Sequence, residues 1–145
     1  MTLFSQDRSS LRSYFLDVWA KRRARTPLEP LESLVAGVIE DHPEYHALLE
    51  RGEAQLDREF PPEGGMENPF LHMAMHIAIR EQVATDRPPG VRKVHSTLSG
   101  RAGSPVEAEH RMIECLAESL WTAQRAGTLP DEQAYLDCVS RLVRS

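Results

Sequence analysis

The stretch from Asn68 to Gln82 carries apolar side chains all the way round a helix: Phe70, Leu71, Met73, Met75, Ile77 and Ile79, with Val83 following. At about 100° per residue these positions leave no polar face, which predicts a helix buried on every side. The rest of the chain must then supply elements to surround it. Two imidazoles, His72 and His76, lie inside this stretch. Four residues apart, they project from one face, one turn from each other.

The surrounding segments also read as helices. Ser9 or Ser10 can cap a first helix running to about Arg25, with Leu11, Tyr14, Phe15, Val18 and Trp19 at helical spacing. It ends in Lys21, Arg22, Arg23 and Arg25, cations that suit the negative end of a helix dipole better than they suit a phosphate or nucleic-acid patch. Thr26-Pro27-Leu28-Glu29 combines a cap, a first-turn proline and a capping-box glutamate, so a second helix is expected there. Asp41-His42-Pro43 interrupts it, because the residue before proline disfavours helical geometry. A new turn then runs from Pro43 to about Arg51, and His42, Tyr45, His46 and Leu49 continue one inward stripe if the axis is only kinked.

The pattern weakens from Gly52 to Gly65, where Pro61-Pro62-Glu63-Gly64-Gly65 reads as a loop that can cross an end of a bundle. Asn68-Pro69 opens the central helix, which is expected to reach Thr85, and Asp86-Arg87-Pro88-Pro89-Gly90 is a rigid connector. A short helix follows from Val91 to Leu98, then a loop to Ser104. Ser104-Pro105-Val106-Glu107 starts a long helix to about Ala126, with an expected apolar face of Ile113, Leu116, Ala117, Leu120 and Gln124. Gly127 stops it, and Asp131 caps a last helix carrying Tyr135, Leu136, Val139 and Leu142.

No alternating strand pattern, hairpin signal, repeat or low-complexity segment is present. The expected fold is therefore all-α, a helical bundle of about four main helices plus short ones, in a single domain over residues 1–145. That length suffices for one core without staples. A hydrophobic fraction of 41%, a charged fraction of 27% and a net charge of -5 suit a soluble protein and argue against a nucleic-acid partner. Met1 to Arg8 lacks the pattern of a signal peptide, and no apolar run approaches the ~18 residues of a membrane span. A cytoplasmic protein without a membrane partner is the expectation. Cys115 and Cys138 stand at no metal-like spacing, and free buried thiols are expected.

Chemistry concentrates in the histidines. His42 and His46 repeat the spacing of His72 and His76, and His110 with Glu114 repeats it with a carboxylate. A bundle can aim three such pairs at one interior point. Burial adds weight, since a core imidazole without a partner costs on the order of 1 to 3 kcal/mol. The expected ligands to a metal are His72, His76, His46, His110, Glu114 and His42, with Glu107 and Glu118 close to the same side of the Glu114 helix. His95 is expected on the surface of the short helix. Imidazoles with a few carboxylates suit iron or zinc, with nickel as a further fit, and suit calcium or magnesium poorly.

Several site types are excluded by spacing. A zincin needs glutamate after its first histidine, where Met73 stands, and no Cys-x-x-Cys or Gly-rich phosphate loop occurs. An iron centre would serve dioxygen or redox sensing; a hydrolytic centre would activate water for a small-molecule substrate, with Glu114 as its base. Arg80 and Glu81 could line the mouth of the site or close a helix-end salt bridge. The competing reading is a metal-free interaction module whose histidines form a buried polar network.

Four blocks carry a resemblance: His42-Pro43-Glu44-Tyr45-His46; Asn68 through His76 to Gln82; Asp86-Arg87-Pro88-Pro89-Gly90; and Glu109-His110-Arg111-Met112-Ile113-Glu114-Cys115-Leu116. Over nearly the whole chain the sequence resembles a small proteobacterial family, domain of unknown function number 1841. That resemblance implies a bacterial, single-domain, cytosolic protein and brings no activity with it. At the level of the site alone, His72/His76 and His110/Glu114 are similar to the pairs of hemerythrin-like di-iron bundles, in reversed chain order. His46 with His72 and His76 is similar to the single-metal pattern of DinB-like bundles. Site likeness of this kind does not transfer function.

Overall fold

A computed structural model describes residues 8–52, 60 and 68–144. The expected loop at Pro61 to Gly65 and the first seven residues lie outside the described residues. Within them there are seven α-helices and no strand, as the helical periodicity and the lack of alternation predict. They are α1 (Arg8–Arg23), α2 (Pro30–Glu40), α3 (His46–Glu50), α4 (Pro69–Thr85), α5 (Val91–Ala102), α6 (Pro105–Ala126) and α7 (Glu132–Arg144), with a 3-10 turn at Pro43–Tyr45 before α3. Contacts divide the chain into two compact units, residues 1–77 and 78–145, with the division falling inside α4.

In the first unit α1 packs against α2 and α3. Its core is Phe15, Val18, Val35, Ala36, Val38, Ile39, Leu48, Leu49, Phe70, Met73, Ala74 and Ile77. Arg12 is buried among them, its guanidinium 5.5 Å from the Phe60 ring and 4.9 Å from the Phe70 ring, as a cation faces an aromatic quadrupole. The cations ending α1 meet carboxylates: Lys21 pairs with Glu32 at 2.7 Å, Arg22 with Glu40, and Arg23 with Glu50 at 3.7 Å.

The expected start of α2 at Thr26 is corrected. Arg25 takes a left-handed conformation (φ 59°), and the Thr26 N–H donates to the Lys21 carbonyl at 2.9 Å, so this segment closes α1. The α2 cap is Glu29, with Pro30 in the first turn and a reciprocal capping box to Glu32.

In the second unit α5, α6 and α7 pack on one another, burying Val91, Val94, Leu98, Ala108, Met112, Leu116, Tyr135 and Val139. The connector before α5 is rigid because Asp86 Oδ1 accepts from Gly90 N and Arg92 N, each at 3.1 Å. The Arg92 guanidinium then donates to the Val83 and Ala84 carbonyls at the end of α4. α5 runs four residues past the expected Leu98 and ends at Gly103 (φ 89°), whose N–H donates to the Ser99 carbonyl. Serine and glycine in this stretch read as loop but are accommodated inside the helix.

The buried face of α6 is also rotated from the expectation. Ala108, Glu109, Met112, Cys115, Leu116 and Ala123 are buried, whereas Ala117 and Gln124 are exposed. The rotation places Cys115 toward α7, and here the expectation of free thiols is overturned: Cys115 and Cys138 form a disulfide, with Cα atoms 5.9 Å apart. That separation lies within the range a disulfide spans. Two antiparallel helices joined by a short turn bring the pair together although 23 positions separate them in sequence.

Candidate metal centre

The first half of α4 sets the site. Asn68 caps this helix, its Oδ1 accepting from Phe70 N at 3.0 Å and Leu71 N at 3.2 Å, with Pro69 in the first turn. Helical spacing then puts His72 half-buried and His76 fully buried on one face. Their Nε2 atoms are 3.2 Å apart and their rings meet edge to face at 4.8 Å.

The third imidazole comes from the break after α2. His42 is buried, with backbone angles (φ -126°, ψ 63°) outside the helix, and its ring lies 4.6 Å from that of His76 and 5.1 Å from that of His72. One ring nitrogen from each of these three residues lies within 4.8 Å of the others. His42 Nδ1 lies 2.8 Å from the Val38 carbonyl oxygen. A carbonyl only accepts, so Nδ1 carries a proton, and Nε2 is the nitrogen through which this ring could ligate a metal. This is the arrangement in which a metal-ligating histidine is oriented by a carbonyl on its far nitrogen. Tyr45 completes the aromatic surround, parallel to His42 at 5.7 Å and edge-on to His72 at 6.3 Å.

His46 is placed elsewhere. Its Nε2–H donates to the Ile39 carbonyl at 2.7 Å and its ring lies 4.4 Å from the Trp19 ring. The equal spacing of His42/His46 and His72/His76 does not give equal geometry. The first pair straddles a helix end, a 3-10 turn and a helix start, so 100° per residue does not apply between them. The break that weakens His42 as a helical position is also what turns it toward α4.

The other expected ligands lie in the second unit. His110 is half-buried on α6, with Nδ1 3.3 Å from Glu107 Oε1, and Glu114 is exposed. Both line a cleft of about 310 Å³ with Ala102, Glu107 and Arg111.

Sequence reading passed over a second polar cluster in this unit. Glu109 is 1% exposed, and its two oxygens accept separately from Arg80 Nε at 3.1 Å and His95 Nε2 at 2.9 Å. His95 is therefore not a surface residue, and Arg80 is an inward partner across three helices. Glu109 looked like one more charge on a charged helix; only its place four before Ile113 and three before Met112 hinted at an inward face. Nearby, burial pushes the Glu81 carboxyl up and holds the Tyr135 phenol well above its ordinary range, against the lowering effect of its own hydrogen bond, in which the hydroxyl donates to Gln82 Oε1 at 2.7 Å.

Residues 7–141 match a protein family described as a domain of unknown function (DUF1841). The chain belongs to that family. No significant match exists among curated proteins or among solved structures, and the hemerythrin-like and DinB-like similarities gain no support from the family match. Among the described residues, no helix is long and apolar enough to cross a membrane.

Proposed function

We propose that this DUF1841 protein holds a transition-metal ion, iron or zinc with nickel as a further fit, on His42, His72 and His76. The observation that carries the reading is the convergence of three imidazoles: one ring nitrogen from each of His42, His72 and His76 lies within 4.8 Å of the others, with the His42 ring oriented by its Nδ1–H bond to the Val38 carbonyl. The 3.2 Å between His72 Nε2 and His76 Nε2 supports it. Two nitrogens bound at about 2.0 to 2.1 Å to one tetrahedral ion stand about 3.3 Å apart. His110 is added as a fourth donor on its sequence pattern alone.

An all-imidazole set favours the borderline metals over calcium and magnesium. When bound, such an ion supplies Lewis acidity or a redox centre. The protein's own contribution is a His42 ring oriented by the Val38 carbonyl and the burial of His42 and His76 away from water.

A second reading has its own observation: 3.2 Å between two ring nitrogens also fits a direct N–H···N hydrogen bond in a metal-free interaction module. Elemental analysis of protein purified without a histidine tag separates the two. The metal reading expects close to one equivalent and a rise in thermal midpoint on adding iron or zinc, both lost in His76→Gln. Less than about a tenth of an equivalent, with no thermal gain and a tolerated His76→Gln, would sink it. The same measurement on His110→Ala tests the fourth donor.

A further inference from the structure

We infer that the Cys115–Cys138 disulfide is a redox latch that decides whether α7 stays docked on α5 and α6. α7 is 13 residues long, a length at which an isolated helix is marginal in water. It buries only two side chains fully, Tyr135 and Val139. Leu136, Leu142 and Val143 are partly buried beside them, and further ties include the Tyr135 hydrogen bond to Gln82 at 2.7 Å, the Arg101 contact to the Val143 carbonyl, and the disulfide. Closing a loop of this length is a large share of what can hold such a helix in place.

The two cysteines are unequally exposed. Cys115 is 3% exposed in the α6 face, whereas Cys138 is only partly buried. A dithiol reductant therefore attacks at Cys138: its thiolate bonds to Cys138 Sγ, the S–S bond breaks, and Cys115 leaves as a thiolate that takes up a proton. The reductant's second thiol then attacks its own sulfur in the mixed disulfide and releases Cys138 as a thiol. Two electrons and two protons pass to the protein, and the reductant ends as its own disulfide. α7 then keeps its two buried side chains, its partly buried leucines and its hydrogen bonds but loses the covalent tie, and it opens more often from the surfaces of α5 and α6 beneath it.

Hydrogen exchange on the full chain tests the latch, comparing oxidised protein, protein reduced by dithiothreitol, and Cys115→Ser/Cys138→Ser. Reduction is expected to speed exchange of the α7 amides about tenfold or more, with far-UV circular dichroism keeping most of its helical signal. The double variant should match the reduced protein; if it fails to fold, reduced wild type carries the comparison. α7 protection unchanged after complete reduction, verified by thiol titration, would overturn the inference. So would a bond that millimolar dithiothreitol leaves intact in the native protein.

Discussion

Glu32 serves two helices at once. One oxygen accepts from the Glu29 N–H at 2.8 Å and closes the start of α2; the other meets Lys21 Nζ at 2.7 Å at the end of α1. Those contacts, the Lys21 hydrogen bond first, hold the Glu32 carboxyl below its ordinary value of 4.5 and raise Lys21 above 10.5. A carboxyl depressed on folding adds stability above its unfolded value, and the gain is lost as pH falls through the folded one. Thermal midpoints from pH 6 to pH 2.5 should show Glu32→Gln less stable near pH 6 and the gap closing below about pH 4. A constant gap would place the effect in packing. Other single residues were harder to read. Glu109 is an ordinary polar letter in sequence and is buried by a rotated helix face, whereas His42, an expected ligand, is buried by a helix break.

Most helix starts were legible from a cap residue, followed by a first-turn proline at two of them. Asn68-Pro69, Ser104-Pro105 and Asp131 each start a helix as expected; Ser104 Oγ accepts from Glu107 N and Asp131 Oδ1 from Ala134 N, each at 3.1 Å. Thr26-Pro27 has the same letters and starts nothing, because the left-handed Arg25 has already committed Thr26 to α1. Local chemistry alone does not rank two adjacent capping options. Asn68 holds the helix that carries two of the proposed ligands, so Asn68→Ala should cost about 1 kcal/mol in urea unfolding. It should also fray the turn containing His72 more than the one containing His76, seen as faster exchange of the first α4 amides.

For the molecule as a whole, hydrophobic periodicity sufficed for the all-α class and for the burial of Phe70, Met73, Met75, Ile77 and Ile79 on α4, but not for burial on every side: Leu71 is 52% exposed and Val83 only half-buried. The division of contacts between residues 1–77 and 78–145 was not legible, since α4 reads as one unbroken apolar run. Nor was the disulfide, which depends on the rotation of α6 about its axis and on no spacing in the chain. Whole-molecule stability still bears on the proposed site. The α2 carbonyl of Val38 is met by the imidazole of His42, while that of Ile39 accepts from both the His42 backbone N–H and the His46 imidazole, so the two rings help to finish the helix. Terminating the helix and, in the proposed site, ligating the metal fall to opposite nitrogens of one ring, so the two duties are separable. Asparagine places an amide N–H near the position of Nδ1 and nothing at Nε2. His42→Asn should keep the metal-free thermal midpoint near wild type, while the stabilisation by added metal, about 2.7 kcal/mol at a hundredfold excess over Kd, disappears.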